Sequence, residues 1–512
     1  MAETMWQLKI VKPSALKGTA NILSNGGKNP LTAMFGRDET ADSAVGGLAI
    51  YVVFENLAEH KMEAVKAVFA PGEACCYESL TPVIPAAAWY EREIQDMFGI
   101  VPQGHPDPRP LVLHDTFPEN YYPLRKQVKK AAQVRGKRRM DMAVARGEGV
   151  FEVPVGPIHA GIIEPGHFRF SQAGESMLQL DAHLFYTHRG LEKIMEGKSV
   201  TEALPIVERI CGACTVANTW SYCQAVEKIA CVKIPRRAEI IRTLLAEVER
   251  VTNHVGDFGN IPAGVGFNPA ISLGGRTKEM LMRLQEQIAG NRFLRGVIIP
   301  GGVAKDITPV ISEAIAAVME KTAQNVADLK DMFDQQANFQ NRIRTTGTVR
   351  KTTALDLAMV GVGARASGFA HDSRKDFAYG VYPELEFNLI TEKSGDVAAR
   401  LAVRIRELQE SFALIAQLLD LLQGTAADKS KLTVKIDWSK VKGEGWGISE
   451  SARGSDFHYA ALAEGGIIDR IFVRSASYPN WPAVTIAVQG DIIPDFPLIN
   501  KSFELCYACI DR

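Results

Sequence analysis

The stretch Glu208-Arg209-Ile210-Cys211-Gly212-Ala213-Cys214 contains a cysteine spacing that returns at residues 506–509 as Cys506-Tyr507-Ala508-Cys509. Each pair can offer two thiolates from one short turn. The pairs are separated by 506 − 214 = 292 residues, so only the tertiary structure can join them. If they meet, four sulfur ligands reach one point, and four thiolates suit a soft or borderline metal ion.

The spacing alone leaves the identity of the metal open. Zinc knuckles usually bring their two pairs together over a short loop, unlike the long interval here. A single iron–sulfur cluster also takes four cysteines. A structural zinc and a redox-active metal are therefore equal alternatives at this point. Arg209 beside Cys211 is expected to favour ionised thiolates, and the position of the second pair suits a site that closes late around a pre-assembled cofactor.

The composition excludes some functions. A chain of 512 residues is too long for one hydrophobic core, so two or three domains are expected. With 46% hydrophobic residues, 23% charged residues and a net charge of −1, it has no electrostatic basis for binding nucleic acid. The first ten residues lack the pattern of a secretion signal, and the most apolar helical stretch, 412–422, is too short to span a bilayer. We therefore expect a protein that is cytoplasmic, or peripheral on the cytoplasmic face of the cell membrane.

Residues 1–125 are predicted to form a small α/β domain. Residues 47–57 are rich in β-branched and aromatic side chains, which predicts a strand, and residues 62–70 are predicted to follow as a short helix. Residues 81–100 start extended and then turn helical. The basic, glycine-punctuated stretch 126–149 is predicted to be a solvated linker at the domain boundary, with docking to an acidic partner as the alternative.

Residues 150–512 are predicted to form a second, helix-dominated domain that begins with strands over residues 151–180. The helical pattern recurs along its middle, over residues 190–197, 199–209, 215–228, 236–259, 277–296, 311–340 and 394–422. Near its end, residues 467–474 and 483–488 are predicted to be strands, split by a proline-rich turn. The predicted fold class is α+β, with a small N-terminal α/β domain followed by a large helix-bundle-dominated domain with small peripheral β-sheets.

The sequence ERICGAC, followed far along the chain by a second Cys-X-X-Cys, resembles the large subunit of nickel–iron hydrogenases. It resembles in particular the membrane-associated, complex I-related group of the formate hydrogenlyase type. Other blocks carry this resemblance too. The stretch 89–115 resembles the small hydrophilic subunit of complex I, fused here at the N-terminus, and later blocks resemble the large subunit, namely 156–170, 363–382, 450–459 and 502–512. The complex I counterpart lacks the paired cysteines, so their presence implies a nickel–iron centre rather than a quinone pocket.

The resemblance implies a NiFe(CN)2(CO) centre and the reversible reduction of protons to hydrogen. Cys211 and Cys506 would be terminal nickel ligands, and Cys214 and Cys509 would bridge nickel to iron. Thiolates leave nickel redox-flexible with an open position, and hydrogen is cleaved heterolytically while a nearby base takes the proton. The base is either the Cys506 thiolate or Arg453, whose guanidinium is normally a fixed cation.

Two glutamates resemble family residues near the nickel site. Glu164 resembles a proton-carrying glutamate, with a helix or turn cap as the alternative role, and the proline that follows it departs from the pattern of many relatives. Glu192 resembles a glutamate that binds a divalent cation, magnesium or iron, which a C-terminal histidine completes in standard hydrogenases. Arg512 stands there instead, so either the cation or a pairing of Arg512 with Glu192 is expected. Glu504-Leu505 stands where many relatives have Asp-Pro, so the hydrogen-bonding role of that aspartate is expected either to be absent or to be taken over by Glu504.

Further charged residues are predicted to fix loops rather than to react. Those expected to form an ion-pair network near the active site or the membrane arm, with proton relay as the alternative, are His159, His254, Asp372, Arg374 and Asp376. Those expected to lock the contact between the two domains are His105, Asp107 and Arg109.

The resemblance also implies partners. They are an iron–sulfur small hydrogenase subunit that carries the clusters, complex I-like membrane subunits, an electron-donor module such as formate dehydrogenase acting through ferredoxin-like subunits, a maturation endopeptidase and nickel chaperones. Two alternatives to a hydrogenase remain. One is a complex I-like quinone-reducing arm, and the other is a scaffold whose four cysteines hold a structural zinc.

Overall fold

A four-stranded sheet forms the core of the N-terminal part of the chain. The structure, a computed structural model, describes residues 7–40, 46–128, 136–137, 141–159, 163–425 and 432–512. The N-terminal elements are β1 (Gln7–Val11), α1 (Leu16–Ser24), β2 (Leu31–Asp38), β3 (Leu48–Asn56), β4 (Lys61–Phe69), β5 (Cys76–Glu78), α2 (Ala88–Phe98) and β6 (Val101–Gln103). The sheet has the order β1-β4-β3-β2, with β1 parallel to β4 and the other neighbours antiparallel.

The segment predicted as a helix at residues 62–70 is strand β4, so that prediction is wrong. Its Met, Glu, Lys and Ala residues favour a helix locally. However, β4 pairs with β1 on one edge and with β3 on the other, and it buries Val65 and Phe69. Two ladders of backbone hydrogen bonds and a buried face override the local preference.

Helix α2 forms within residues 81–100, as predicted, and lies against β2. It ends at Gly99, whose φ of 67° lies in the left-handed region. A side chain there would also collide with the ring of Tyr122, which lies 2.5 Å from an ideal Cβ position. Gly99 therefore both ends the helix and lets the following loop fold back over it.

The second part of the chain begins with an antiparallel sheet and continues with helices. Its elements up to residue 376 are β7 (Val150–Val155), β8 (His167–Ala173), β9 (Ser176–His183), α3 (Leu191–Met195), α4 (Val200–Val207), α5 (Thr215–Ile229), α6 (Arg236–Asn260), α7 (Asn268–Ala289), β10 (Ile298–Ile299), β11 (Gly302–Val303), α8 (Pro309–Gln335), α9 (Ala337–Ile343), α10 (Lys351–Asp356), α11 (Gly361–Ala366) and α12 (Ser373–Asp376). The remaining elements are α13 (Val397–Gly424), β12 (Gly443–Ser451), β13 (Gly454–Ala463), β14 (Ile467–Arg474), α14 (Ser477–Ala487), α15 (Phe496–Phe503) and α16 (Ala508–Asp511).

Four long helices, α6, α7, α8 and α13, form the bundle of the second part. Helix α6 packs against α7 and α13, and α8 packs against the same two helices. On α6, Leu244, Val248 and Val251 recur at helical spacing and are fully buried. The helix predicted from residue 277 begins earlier, at Asn268. The predicted α+β class, with a helix-dominated second part and peripheral sheets, is confirmed. No helix of the described residues combines the length and apolarity needed to cross a membrane.

The strands β12, β13 and β14 form an antiparallel meander that packs on α5. Strand and helix approach closely at Gly447, where an ideal Cβ would lie 2.0 Å from the carbonyl oxygen of Ser221. Only glycine allows this contact without a shift of the backbone. The meander therefore holds α5, which begins directly after Cys214, against the body of the protein.

The segment predicted as a strand at residues 483–488 belongs to helix α14, which also contains the predicted proline-rich turn, so both predictions are wrong. Valine and isoleucine favour strands locally. However, Trp481, Val484 and Ala487 recur every three residues, and all three are buried. Pro479 lies in the first turn, where a missing N–H breaks no hydrogen bond. Burial of one helical face outweighs the local preference.

Aromatic stacking and ion pairs join the two parts of the chain. The ring of Phe35 in β2 stacks on Phe472 of β14 with centroids 4.6 Å apart. Arg109 pairs with Asp181 of β9 at 2.7 Å, as expected of an interdomain lock, whereas His105 contacts Ala88 within the N-terminal part. The boundaries 1–125, 126–149 and 150–512 stay predictions. Residues 129–135 and 138–140 of the predicted linker, and residues 160–162 of the predicted strand region, lie outside the described residues.

Candidate metal centre

The fold brings the sulfurs of three of the four predicted cysteines together, while Cys214 lies outside that group and contacts Cys211. The sulfur of Cys211 lies 3.5 Å from that of Cys506, and the sulfurs of Cys211, Cys506 and Cys509 all lie within 4.8 Å of one another. Cys211, Cys214 and Cys509 are buried, and Cys506 is partly buried. Among the described residues, this is the one place where three or more potential metal-binding side chains bring their donor atoms so close.

The first pair is held by the ends of two helices. Cys211 lies between α4 and α5, and Cys214 is the N-cap residue of α5. The carboxylate of Glu249, on α6, accepts hydrogen bonds from Val216 N at 2.7 Å and Ala217 N at 3.1 Å. These are unpaired donors at the start of α5, so Glu249 stabilises the helix end and fixes Cys214 to the bundle.

The second pair lies between α15 and α16. Helix α15 ends at Phe503, and the next residue, Glu504, has a φ of 52°, which lies in the left-handed region. The side chain of Glu504 accepts a hydrogen bond from Asn260 Nδ2. The backbone N–H of Cys506 donates to Ser477 Oγ at 3.0 Å, which ties the pair to α14. Helix α14, part of which the sequence pattern predicts to be a strand, therefore contacts the second cysteine pair directly.

Arg453 provides the positive charge that contacts the cysteine cluster. Its Nη1 lies 3.7 Å from Cys214 Sγ and donates to Asn253 Oδ1 at 3.3 Å. Burial would lower the pKa of Arg453, but the charges of Cys214 and Asp257 hold it well above its usual value. Arg209, expected in this role, instead donates to the carbonyl of Pro205, and its side chain is 53% exposed.

The thiols of the cluster do not ionise independently. Burial opposes ionisation of Cys509, but donors from Cys211, Cys506 and nearby serines lower its pKa to about 5. The pKa of Cys506 lies well above its usual value, because of Cys211 and Cys509 and because of burial. The pKa of Cys214 is shifted in the same direction by Cys211 and burial. A bound metal cation would supply the charge that ionises the remaining thiols, so the donor set fits a thiolate-bound metal.

Glu164 lies against the second pair. Its Oε2 accepts hydrogen bonds from Tyr507 N at 2.9 Å and Ala508 N at 2.8 Å, and it lies 3.7 Å from Cys506 Sγ. The carboxylate is partly buried. Glu164 thus caps the turn between the two cysteines and stands beside a sulfur, which is the geometry that both predicted roles require.

Glu192 is surrounded by protein donors. Its Oε2 accepts from Arg470 Nη1 at 2.7 Å, and its Oε1 accepts from Arg512 Nη1 at 3.1 Å. Burial would raise the pKa of Glu192, but the charges of Arg470 and Arg512 hold it below its usual value. Arg512 also donates to Glu93 Oε2, on α2, at 2.6 Å. Arg512 therefore lies between the two parts of the chain, three residues after Cys509.

The other predicted residues form buried or partly buried contacts with protein groups other than the cysteines. Arg374 binds Asp372 at 2.7 Å and Glu247 at 3.1 Å, and Asp376 accepts from Asp372 N at 2.9 Å. The contacts of the predicted histidines are His254 with Glu407 at 2.8 Å and His159 with the Gly166 carbonyl at 2.7 Å. Ion pairs of the expected kind join Arg374 to Asp372 and Glu247, whereas Asp376 contacts the Asp372 backbone and His159 contacts a backbone carbonyl.

Sequence reasoning missed residues that act through backbone groups. Asn253 donates to the carbonyl of Ala213 at 2.7 Å, and Arg189 donates to carbonyls in both cysteine-bearing segments. Arg189 lies in the same block as Glu192, which the sequence did single out. Such residues cannot be recognised from a charge partner or from a motif spacing. Their acceptors are backbone carbonyls, which every residue has.

Comparison with protein families matches three consecutive parts of the chain. Residues 10–134 match "Respiratory-chain NADH dehydrogenase, 30 Kd subunit", residues 189–263 match "Nickel-dependent hydrogenase", and residues 265–512 match "Respiratory-chain NADH dehydrogenase, 49 Kd subunit". The hydrogenase match includes the first cysteine pair, and the 49 Kd match includes the second.

Individual relatives span nearly the whole chain. Formate hydrogenlyase subunit 5 and Hydrogenase-4 component G, both of Escherichia coli K12, are each 32% identical over 488 residues, covering 94% of this chain and 84% of each relative. The C/D fusion protein of NADH-quinone oxidoreductase from Bacteroides fragilis is 27% identical over 535 residues, covering 99% of this chain and 100% of the relative.

A solved structure shares the fold. A chain of the membrane-bound sulfane sulfur reductase, an archaeal respiratory membrane complex, superposes with a TM-score of 0.67 at 27% identity, over 71% of this chain and 99% of that one. The fold and the matched families define a fusion of two complex I-related hydrophilic subunits. More particularly, the chain belongs to the family of membrane-associated, complex I-related nickel–iron hydrogenase large subunits of the formate hydrogenlyase type. The resemblance predicted from the sequence is confirmed.

Proposed function

We propose that this chain is the catalytic large subunit of a nickel–iron hydrogenase that reversibly reduces protons to hydrogen. One observation carries the proposal: two cysteine pairs 292 residues apart, 506 − 214, bring Cys211 Sγ and Cys506 Sγ to 3.5 Å in a buried cluster. A structural zinc site needs no such convergence of distant segments. Membership of a family that includes hydrogenase subunits supports the same conclusion.

Four cysteines would hold the NiFe(CN)2(CO) centre. Cys211, Cys214, Cys506 and Cys509 are the residues that would hold it. When bound, the centre would pass on electrons received from a partner subunit and would offer an open position for hydrogen. The buried thiols, which need a cation in order to ionise fully, support this assignment.

The surrounding side chains would then move the proton. Arg453 stays a cation because the charges of Cys214 and Asp257 hold its pKa high, so it orients and polarises rather than accepts. We assign the accepting role to the sulfur of Cys506. Glu164 Oε2 lies 3.7 Å from that sulfur and would take the proton onward toward the protein surface.

The charge near Glu192 would come from arginine rather than from magnesium or iron. Both oxygens of Glu192 already accept hydrogen bonds from Arg470 and Arg512, at 2.7 and 3.1 Å. Two guanidinium groups supply the positive charge that a divalent cation would bring. We therefore expect no separate cation at Glu192.

The partners follow from the reaction and from the relatives. Electrons must reach a buried site, which calls for an iron–sulfur small subunit. The names of two similar proteins describe membrane-bound complexes, so we propose complex I-like membrane subunits and a position on the cytoplasmic face of the cell membrane. An electron-donor module such as formate dehydrogenase, a maturation endopeptidase and nickel chaperones complete the proposal.

A second candidate function is the redox arm of a respiratory complex that reduces another acceptor, with zinc or no metal at the cysteines. It is favoured by the full-length match to the NADH-quinone oxidoreductase C/D fusion protein and by the fold shared with a sulfane sulfur reductase chain. Elemental analysis of the purified complex separates the two. We expect stoichiometric nickel and iron on this chain, lost together in Cys509→Ser. Zinc in the wild-type complex, or acceptor reduction that survives Cys509→Ser, would overturn the hydrogenase proposal.

A further inference from the structure

One arginine side chain bonds to both cysteine-bearing segments. Arg189 Nη1 donates to the carbonyl of Arg209 at 2.9 Å, and its Nη2 donates to the carbonyls of Ile210 at 3.0 Å and Ala508 at 2.7 Å. The first two carbonyls belong to the first cysteine pair's segment, and the third lies inside the second pair. The acceptors are separated by about 300 residues along the chain, 508 − 210 = 298.

The bonded carbonyls are directly attached to two of the cysteines. Ile210 precedes Cys211 and Ala508 precedes Cys509, so each of these two peptide planes includes the backbone nitrogen of a cysteine. Because the peptide unit is planar, fixing its oxygen also fixes the position of the next Cα. The guanidinium is itself a rigid, planar fork of donors. Arg189 therefore links the backbones of Cys211 and Cys509 through its planar guanidinium and the two planar peptide units that it binds.

The backbone of Arg189 strengthens this link. Its N–H donates to the backbone oxygen of Arg512 at 2.8 Å, and the N–H of Gly190 donates to the same oxygen at 3.0 Å. The segment after the second pair is also anchored by Asp511, which accepts from Phe185 N at 2.9 Å and Thr187 N at 2.8 Å. Backbone N–H groups of the loop before α3 thus bind Asp511 and Arg512 whether or not the Arg189 side chain is present.

We propose that Arg189 is a positioning residue that sets the distance between the two cysteine pairs. It holds the sulfurs of Cys211 and Cys506 within reach of one metal without contacting either sulfur. That this distance serves to bind a metal rests on the proposed function. The effect of Arg189 on the distance between the cysteine pairs does not depend on which metal is bound. Removing the side chain leaves the anchors of Asp511 and Glu164 in place, so the chain still folds while the spacing of the pairs relaxes.

The test measures the spacing through disulfide formation in the full chain, produced without nickel. Diamide accepts two electrons and two protons from two thiols and leaves a disulfide. Peptide mapping then compares the cross-pair disulfide Cys211–Cys506 with the disulfides within each pair. We expect Arg189→Met to lower this cross-pair to within-pair ratio roughly tenfold, because three hydrogen bonds from a charged donor are lost. Arg189→Lys, which keeps the charge but not the fork, is expected to give an intermediate ratio.

Arg209 offers the matched control. It is also an arginine beside the first pair, but its side chain donates to Pro205 O, on the preceding helix. Arg209→Met should leave the disulfide ratio at the wild-type value. A ratio in Arg189→Met equal to that of Arg209→Met would overturn the proposal. If Arg189→Met does not fold, Arg189→Lys decides the question, and a wild-type ratio in that variant would overturn the proposal equally.

The nickel content of the assembled complex separates this inference from the proposed function. If the wild-type complex lacks nickel but Arg189→Met still lowers the disulfide ratio, the hydrogenase proposal fails and the positioning role stands. If the wild type holds nickel and the ratio is unchanged in Arg189→Met, the positioning role fails and the hydrogenase proposal stands.

Discussion

At the residue scale, Glu164 combines a structural contact and a chemical one on a single oxygen. Its Oε2 accepts from Tyr507 N and Ala508 N, and the same atom lies 3.7 Å from Cys506 Sγ. A capping residue needs only an acceptor, whereas a proton carrier needs a group that ionises. These requirements can be separated by substitution.

We expect Glu164→Gln to retain nickel and lose activity. The amide oxygen can still accept from the two backbone N–H groups, but the side chain no longer takes up a proton. Losing a general acid–base group typically slows a reaction by about 10²–10⁴-fold. Hydrogen production and nickel content of the same preparation check this. Glu164→Ala, which removes the cap too, is the comparison. Nearly full activity in Glu164→Gln would reduce Glu164 to a cap.

His371 makes the contact between the two parts of the chain depend on pH. It lies against Glu55 of β3 and 3.7 Å from Asp376, both buried or partly buried. Burial opposes protonation, but the charge and hydrogen bond of Glu55 raise the pKa of His371 from 6.5 to about 9. Because the pKa of His371 is higher in the folded protein, the ion pair stabilises the fold fully below pH 6.5. This stabilisation is lost as the pH rises through about 9.

The predicted readout is the difference in melting temperature between wild type and His371→Gln. This difference should be largest below pH 6.5 and should shrink as the pH approaches about 9. Thermal melts across that interval measure it. A difference that is constant or grows with pH would contradict the assignment of the charged pair to His371 and Glu55.

At the scale of elements, α14 shows where sequence patterns fail. The six residues 483–488 match a strand, yet residues 483–487 form the end of a helix that carries Ser477 to the backbone of Cys506. Their local preference is overridden by packing that the sequence does not display. Likewise β4 becomes a strand because two neighbouring strands pair with it. The long helices were predictable, because a 3.6-residue apolar period over many turns leaves no competing structure.

Helix α14 is fastened by a reciprocal amide pair, which gives an element-scale prediction. Asn480 Oδ1 accepts from Val360 N, and Asn480 Nδ2 donates to Val360 O, both at 3.0 Å. Asn480→Leu leaves a buried N–H and a buried carbonyl without partners, at a cost of about 1–3 kcal/mol for each group. Hydrogen exchange of the Val360 amide should be faster by one to several powers of ten.

The same helix offers a control for this experiment. Thr485 Oγ1 donates only to Pro482 O, within α14 itself. Thr485→Val should therefore leave exchange at Val360 close to the wild-type rate. Equal exchange in the Asn480 and Thr485 variants would show that the pair does not hold α14 in place.

At the scale of the whole molecule, the N-terminal part contributes directly to the end of the chain that carries the second cysteine pair. Glu93, on α2, accepts from Arg512 Nη2 at 2.6 Å and from the Tyr478 hydroxyl at 2.7 Å. The complex I-like N-terminal part therefore helps to place α16. The two cysteine pairs could be found from their spacing, and Glu164 and Glu192 through the resemblance. Glu93 could not be found in either way, because an acidic residue on a helix carries no mark of a partner 419 residues away.

We expect Glu93→Gln to destabilise the chain and to lower its metal content. Arg512 keeps Glu192 as a second carboxylate partner at 3.1 Å, so we expect part of the cost of about 3–5 kcal/mol that breaking a buried ion pair carries. The melting temperature and nickel content of the assembled complex measure the two effects. Glu78→Gln is the matched control, since Glu78 pairs with Lys17 at the surface, where an ion pair is worth about 0–1 kcal/mol. Similar behaviour of both variants would exclude a special role for Glu93.

Infrared spectroscopy of the purified complex can detect the diatomic ligands that a nickel–iron centre at the two cysteine pairs would carry. Carbon monoxide and cyanide bound to iron absorb in a spectral window that is free of protein bands. We predict these bands in the wild-type complex and their loss in Cys509→Ser. A complex that lacks the bands while its four cysteines hold zinc would contradict the proposed nickel–iron centre and favour the redox arm of another respiratory complex.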